Sequence, residues 1–141
     1  MNNELRVVLD TSVLLVSISS KSDAHWIFQG LLQEKFELII SNEILSEYEE
    51  VISEKFSVDV AIDVIRTLLL LPNVIKSEIY YRWSLIKDDE DDNKFADCAV
   101  ASNADYLVTN DKHFNRLKGI TFPQISVINI SEFSKMLSQC D

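Results

Sequence analysis

The sequence predicts an α/β protein: a three-layer α/β/α sandwich around a central, mainly parallel sheet of about five strands. Three observations carry that expectation. Short apolar runs bounded by turn residues recur along the chain, and stretches with helical periodicity fill the intervals between them. With 47% of residues hydrophobic and only two Gly and two Pro, the chain has the means for a core and little material for linkers. At 141 residues it fits one domain spanning positions 1–141.

Leu5-Arg6-Val7-Val8-Leu9 is rich in β-branched residues and stops at Asp10-Thr11-Ser12, so it reads as an inner strand with Asp10 at its C-terminal end. A helix starts at Thr11 or Ser12. Ser22 or Asp23 caps the next, whose apolar positions Ala24, Ile27, Phe28, Leu31 and Leu32 recur at helical spacing. Leu38 to Ile40 is a second strand. Ser41 or Asn42 then caps a helix with Ile44, Leu45, Tyr48, Val51 and Ile52 on one side and Glu43, Glu47, Glu50 and Glu54 along its flank. A further helix over Asp59 to Leu71 ends before Pro72, and Val74-Ile75 is a third strand. Ile79 to Ile86 fits a strand or a helical turn equally, since Tyr80, Tyr81 and Trp83 suit either. Phe95 to Ser102 reads as helix, Tyr106 to Val108 as strand, Lys112 to Leu117 as a helical stretch and Ile125 to Ile128 as the last strand. Ser131 caps a final helix bearing Phe133, Met136 and Leu137. Open parallel sheets bind ligands beyond the C-terminal ends of their strands, where Asp10 and Asp111 both fall.

The formal charge of −10, from 23 acidic against 13 basic residues, repels polyanions as a whole and counts against a simple nucleic-acid coat protein. It does not exclude a metal-dependent enzyme acting on a phosphate backbone, because a bound divalent cation reverses the local sign. Cys98 and Cys140 have neither metal-ligand spacing nor a disulfide framework, so both are expected reduced. No apolar run approaches the roughly 18 to 20 residues that span a bilayer, and no signal-like segment opens the chain. The expected location is the cytoplasm, away from membranes.

Acids supply the chemistry. The helix from Phe95 is apolar nearly all round, yet Asp97 interrupts it between Val100 and Ala101 on the wheel. A buried carboxylate needs a cation, strong hydrogen bonds or an opening to water; a bland alternative is a rim position or a pair with Lys94 or Arg66. Asp10 serves equally as a helix cap and Asp111 as a turn residue, but each ends a different strand and both can reach one ion. Glu47 borders the apolar face of its helix, whereas Glu43, Glu50 and Glu54 fit a solvated flank. Asp88, Asp89, Glu90 and Asp91 read as loop acids in water, with Asp91 or Asp92 the natural cap of the following helix. His25 and His113 have no partner at ligand spacing and read as surface or core histidines. Two glycines, Gly30 and Gly119, cannot build a phosphate-cradling loop, and no Ser-His-Asp order is present. What remains is oxygen ligation of a metal: carboxylates about 4 Å apart repel by roughly 4 kcal/mol per pair at an effective dielectric near 20, and a divalent ion removes the conflict.

Four fragments in order, Val8-Leu9-Asp10-Thr11-Ser12-Val13-Leu14, Ser41 to Val51 with Glu47-Tyr48, Asp89 to Ala101, and Ala104 to Phe114, make the chain resemble the PIN-domain ribonucleases. The branch is that of toxin components of VapBC-like toxin–antitoxin pairs, and the resemblance covers nearly the whole chain. It implies an acidic pocket that binds one or two Mg²⁺ or Mn²⁺ ions and hydrolyses RNA phosphodiesters. By position, Asp10, Glu47, Asp97 and Asp111 match the catalytic acids, with Asp10, Asp97, Asp111 and the additional Asp92 as metal ligands. Thr11, Ser12, Thr109 and Asn110 match supporting polar positions. The register leaves Glu43 as an alternative to Glu47 and allows Asp92 to exchange roles with Asp97. A small antitoxin is the implied protein partner, and homodimerisation a further expectation. Two other readings compete: a PIN-fold binding module with an idle site, and a phosphotransfer protein using Asp10. The phosphatase pattern wants a second Asp two residues on, where this chain has Ser12.

Overall fold

The computed structural model describes residues 5–86 and 92–139. Asp88, Asp89, Glu90, Asp91 and Cys140, for which the sequence raised expectations, lie outside them. The elements run β1 (Arg6–Leu9), α1 (Thr11–Ile18), α2 (His25–Leu32), β2 (Glu37–Ile40), α3 (Asn42–Lys55), α4 (Val58–Leu70), β3 (Val74–Lys76), α5 (Asn93–Ser102), β4 (Tyr106–Val108), a 3₁₀ helix (Lys112–Gly119), β5 (Val127–Ile128) and α6 (Ile130–Gln139).

The strands form one five-stranded sheet in the order β3-β2-β1-β4-β5, and every pairing is parallel. Successive strand residues face opposite sides of a sheet, so a central strand shows by its burial whether both sides are covered. Val7, Val8 and Leu9 of β1 and Leu38, Ile39 and Ile40 of β2 are all buried, hence helices cover both faces. The large side chains Phe36, Phe95, Phe114, Phe133 and Tyr48 fill the core between the layers. The chain builds outward from β1 to β2 and β3, then returns to place β4 on the other side of β1. That reversal opens a crevice between β1 and β4 beyond their C-terminal ends, the usual ligand position in such sheets.

Local chemistry explains most boundaries. Ser41 and Ser57 cap α3 and α4, each accepting the backbone N–H three residues on. Three expectations are corrected. At α2 the cap is Ala24 rather than Ser22 or Asp23, because the Ser22 hydroxyl is spent on a turn, accepting the Ala24 N–H at 3.1 Å. α6 is capped by Asn129 and not Ser131: Asn129 Oδ1 accepts the Glu132 N–H at 2.8 Å while Glu132 Oε1 accepts the Asn129 N–H at 2.9 Å, a reciprocal capping box. β5 shrinks to Val127–Ile128, since Ile125 is buried without joining the ladder.

The segment Ile79 to Ile86 is neither strand nor helix. Side chains of α5 hold it: Asp97 Oδ1 accepts the Trp83 N–H at 3.0 Å, and the Asn93 side chain both accepts from Ile86 N–H and donates to Ile86 C=O. Ser84, at φ 52°, stands in the left-handed region and interrupts either regular structure. Among the described residues no helix is long and apolar enough to cross a membrane.

Candidate functional site

Asp10 closes β1 and begins α1, and its buried carboxylate is saturated with donors. Oδ1 accepts the Val13 N–H at 2.9 Å and the Ser12 hydroxyl at 3.0 Å, and Oδ2 accepts the Thr109 hydroxyl. It is therefore a helix cap and at the same time tied to the end of β4. Burial pushes its pKa up, the Thr109, Val13 and Ser12 donors pull it down, and the nearby Asp111 charge pushes it up again.

Thr109 couples the two strand ends, since its Oγ1 also accepts the Asp111 N–H at 2.9 Å. Asp111 caps the 3₁₀ helix by accepting the His113 N–H at 2.9 Å. That cap brings the His113 ring back over the same carboxylate, with Nδ1 3.4 Å from Asp111 Oδ1. Asp92 arrives from the start of α5, where its side chain makes no capping hydrogen bond to that helix. Donor atoms of Asp92, Asp111 and His113 all lie within 4.8 Å of one another.

Glu47 joins through α3. Tyr48 beside it is fully buried and donates its hydroxyl to the Leu9 carbonyl at 2.6 Å, fastening α3 to the end of β1. Burial drives the Tyr48 pKa far up, so the phenol stays a donor. Glu47 Oε2 then accepts the Thr11 hydroxyl, and Oε1 meets Lys94 Nζ at 2.6 Å. Glu43, one turn earlier, instead pairs with Arg82 at 2.7 Å. Asn42, Glu43, Ser46, Glu47, Glu50 and Lys94 line an open groove of about 440 Å³ beside these acids. Across Asp111, a second depression of about 530 Å³ carries Lys112 and Lys118.

The structure thus gathers Asp92, Asp111 and His113, sets Asp10 beside Asp111, and links Glu47 to Asp10's own helix through Thr11. It does not bring Asp97 to this group. Asp97 follows Asp92 by five residues, about 140° around the helix and about 7.5 Å along it, so the two cannot face one point. Asp97 is instead buried beneath the 79–86 segment, accepting from Trp83 N–H. Desolvation raises its pKa, the Trp83 hydrogen bond and Arg82 lower it, and Glu43 raises it. Neither Lys94 nor Arg66 is its partner: Lys94 serves Glu47, and Arg66 is exposed. Asn110, expected as support, commits its Oδ1 to the Ile130 N–H at 3.1 Å.

Sequence reasoning missed Lys94 as the partner of Glu47, Tyr48 as the fastener and His113 as a neighbour of Asp111. For His113 a signal existed, because an Asp that caps a helix accepts from the residue two or three positions on. His25 is structural, its Nδ1 2.8 Å from the Ser17 carbonyl and its ring stacked on Phe28. The carboxylates of Asp92 and Asp111 with the His113 imidazole are a donor set suited to a divalent cation, which would also offset the repulsion between Asp10 and Asp111.

Comparison with known proteins gives the same outline. The family described as PIN domain matches residues 6–113. No curated protein matches the sequence significantly. Among solved structures, the chain is similar to VapBC2 from Rickettsia felis bound to a DNA fragment from their promoter, with 20% identity, 89% of this chain and 98% of that chain covered, and a TM-score of 0.62. It is similar to Mycobacterium tuberculosis VapC20, described as a sarcin-ricin loop cleaving toxin, with 12% identity, 81% and 96% covered, and a TM-score of 0.58. VapBC-1 from nontypeable Haemophilus influenzae matches with 18% identity, 90% and 99% covered, and a TM-score of 0.57.

Proposed function

Because the chain belongs to the PIN-domain family, we propose that it is a metal-dependent endoribonuclease, the toxin of a toxin–antitoxin pair, working in the cytoplasm. The observation that carries the reading is that donor atoms of Asp92, Asp111 and His113 lie within 4.8 Å of one another, while the Asp111 charge also bears on Asp10 at the end of β1. Similarity to an RNA-cleaving toxin and to VapBC assemblies supports RNA as substrate and a small antitoxin as partner.

Asp10, Asp92 and Asp111 would hold one or two Mg²⁺ or Mn²⁺ ions. When bound, such an ion supplies Lewis acidity to the scissile phosphate and to the attacking water. The chain's residues do the rest. Ser12, Val13 and Thr109 fix the Asp10 carboxylate, so that no reorganisation is needed when charge develops. Glu47, oriented by Thr11 and Lys94, stands at the mouth of the groove to take the proton of the attacking water. Lys112 and Lys118 offer positive charge along a substrate path that the net charge of −10 otherwise opposes. Asp97 acts at one remove, holding the 79–86 segment against α5.

Incubation of the purified chain with end-labelled RNAs of varied sequence, with Mn²⁺ or with EDTA, tests the reading. Discrete cleavage in Mn²⁺ that vanishes in EDTA is expected; intact RNA under every metal condition refutes it.

A further inference from the structure

The Asp92, Asp111 and His113 group differs from an all-oxygen site in one respect, its imidazole. The His113 side chain is more than half exposed, at 57%, and its Nδ1 sits 3.4 Å from Asp111 Oδ1, on the same side as the Asp92 carboxylate. Two bonds of about 2.1 Å to a common ion leave donors no more than about 4.2 Å apart. The observed limit of 4.8 Å therefore needs only a small closing movement, which the exposed Asp111 and His113 side chains can make toward the half-buried Asp92. The backbone helps: His113 N–H is committed to Asp111 Oδ1, which fixes the residue where its ring faces the carboxylates.

Resting on the metal-site reading above, we propose that His113 is a nitrogen ligand of the bound divalent ion, together with Asp92 and Asp111. This ligand biases the site toward first-row transition ions such as Co²⁺ and against Mg²⁺. The chemistry is that of ligand softness: Mg²⁺ takes oxygen donors almost alone and gives up water reluctantly, whereas an imidazole favours borderline ions, increasingly so from Mn²⁺ to Co²⁺. His113 then decides which ion the chain carries.

The test uses the full chain and metal ions alone, without RNA. Spin-echo spectroscopy of protein-bound Mn²⁺ should show nitrogen coupling that disappears in His113→Gln. By calorimetry the same substitution should weaken Co²⁺ binding about 10-fold or more, while Mg²⁺ affinity changes less than about threefold; retained Mg²⁺ binding and melting temperature report that the variant is folded. Absence of nitrogen coupling in the unmodified chain overturns the proposal. So does an equal loss of Co²⁺ and Mg²⁺ affinity in the variant, or failure of the unmodified chain to bind either ion. Nitrogen coupling in a protein that cleaves no RNA would remove the nuclease reading and leave the ligand set standing.

Discussion

Asp97 separates two accounts of the acidic site, one in which it holds the ion and one in which Asp92 does. Its Oδ1 accepts the Trp83 N–H at 3.0 Å, so Asp97→Asn keeps an acceptor while removing a buried charge. Asp97→Ala removes the acceptor and leaves a half-buried N–H unmet, a loss of about 1 to 3 kcal/mol. For a chain of this length each kcal/mol moves the melting temperature by about 3 to 4 °C, so the Ala variant should melt about 3 to 12 °C lower and the Asn variant within about 2 °C of the parent. The pH dependence follows from the sign of the shift. Burial raises the Asp97 carboxyl above its ordinary 3.8, so the folded chain holds that proton more tightly than the unfolded one. Its contribution therefore makes stability fall as pH rises from about 3.8 through the raised value, and the Asn variant should lose that part of the slope. Differential scanning fluorimetry across pH 3 to 8, about one-unit steps, reads stability; calorimetry with Mn²⁺ reads the ion. Asp97→Asn should bind Mn²⁺ within about threefold of the parent, and Asp92→Asn should bind it about 10-fold more weakly or worse. The reverse pattern, binding lost in Asp97→Asn and kept in Asp92→Asn, would refute the assignment.

Other outcomes follow from single contacts. Tyr48→Phe removes the donor to the buried Leu9 carbonyl, so the melting temperature should fall by about 3 to 8 °C, and RNA cleavage measured well below that temperature should fall too, because Glu47 is the next residue. An unchanged melting curve would contradict that fastening role. Glu47→Gln keeps the Thr11 contact but cannot take a proton, so cleavage should drop about 100-fold or more with Mn²⁺ affinity little altered. Cys98 is buried and its thiol is pushed up to about 12. In a Cys140→Ser background the native protein should therefore resist a thiol reagent at pH 8 and react only on unfolding; rapid native reaction would contradict the packing of α5.

How much of this was readable in the sequence depends on distance along the chain. The strands β1, β2 and β4 and the helices α3, α4 and α5 declare themselves by local periodicity and caps, and their observed bounds fall within a residue or two of expectation. The Asn129-x-x-Glu132 box was also local, and preferring Ser131 overlooked it. Long-range pairings were not readable. That an apolar helix with a single carboxylate needs a partner follows from desolvation, but its being the Trp83 N–H of an irregular segment does not, because nothing in the composition of Ile79 to Ile86 announces a strap. Likewise Lys94 sits one turn from Asp97 in sequence, which suggested a pair, yet it reaches across to Glu47 on α3. Asp10 and Asp111 were marked by their place at strand ends; which of Asp92 and Asp97 faces Asp111 was a matter of helix phase, decided only when the start of α5 was fixed.

The central claim is that Asp10, Asp92 and Asp111 form one ion-dependent centre for RNA hydrolysis. The most direct measurement removes all divalent ions by chelation, restores Mn²⁺ in graded amounts, and follows cleavage of a labelled RNA by the parent chain and by Asp10→Asn at matched foldedness. The parent should regain cleavage along the same concentration curve as its calorimetric Mn²⁺ binding, and Asp10→Asn should remain inactive throughout. Cleavage that persists without divalent ions, or that Asp10→Asn recovers fully, would contradict the account.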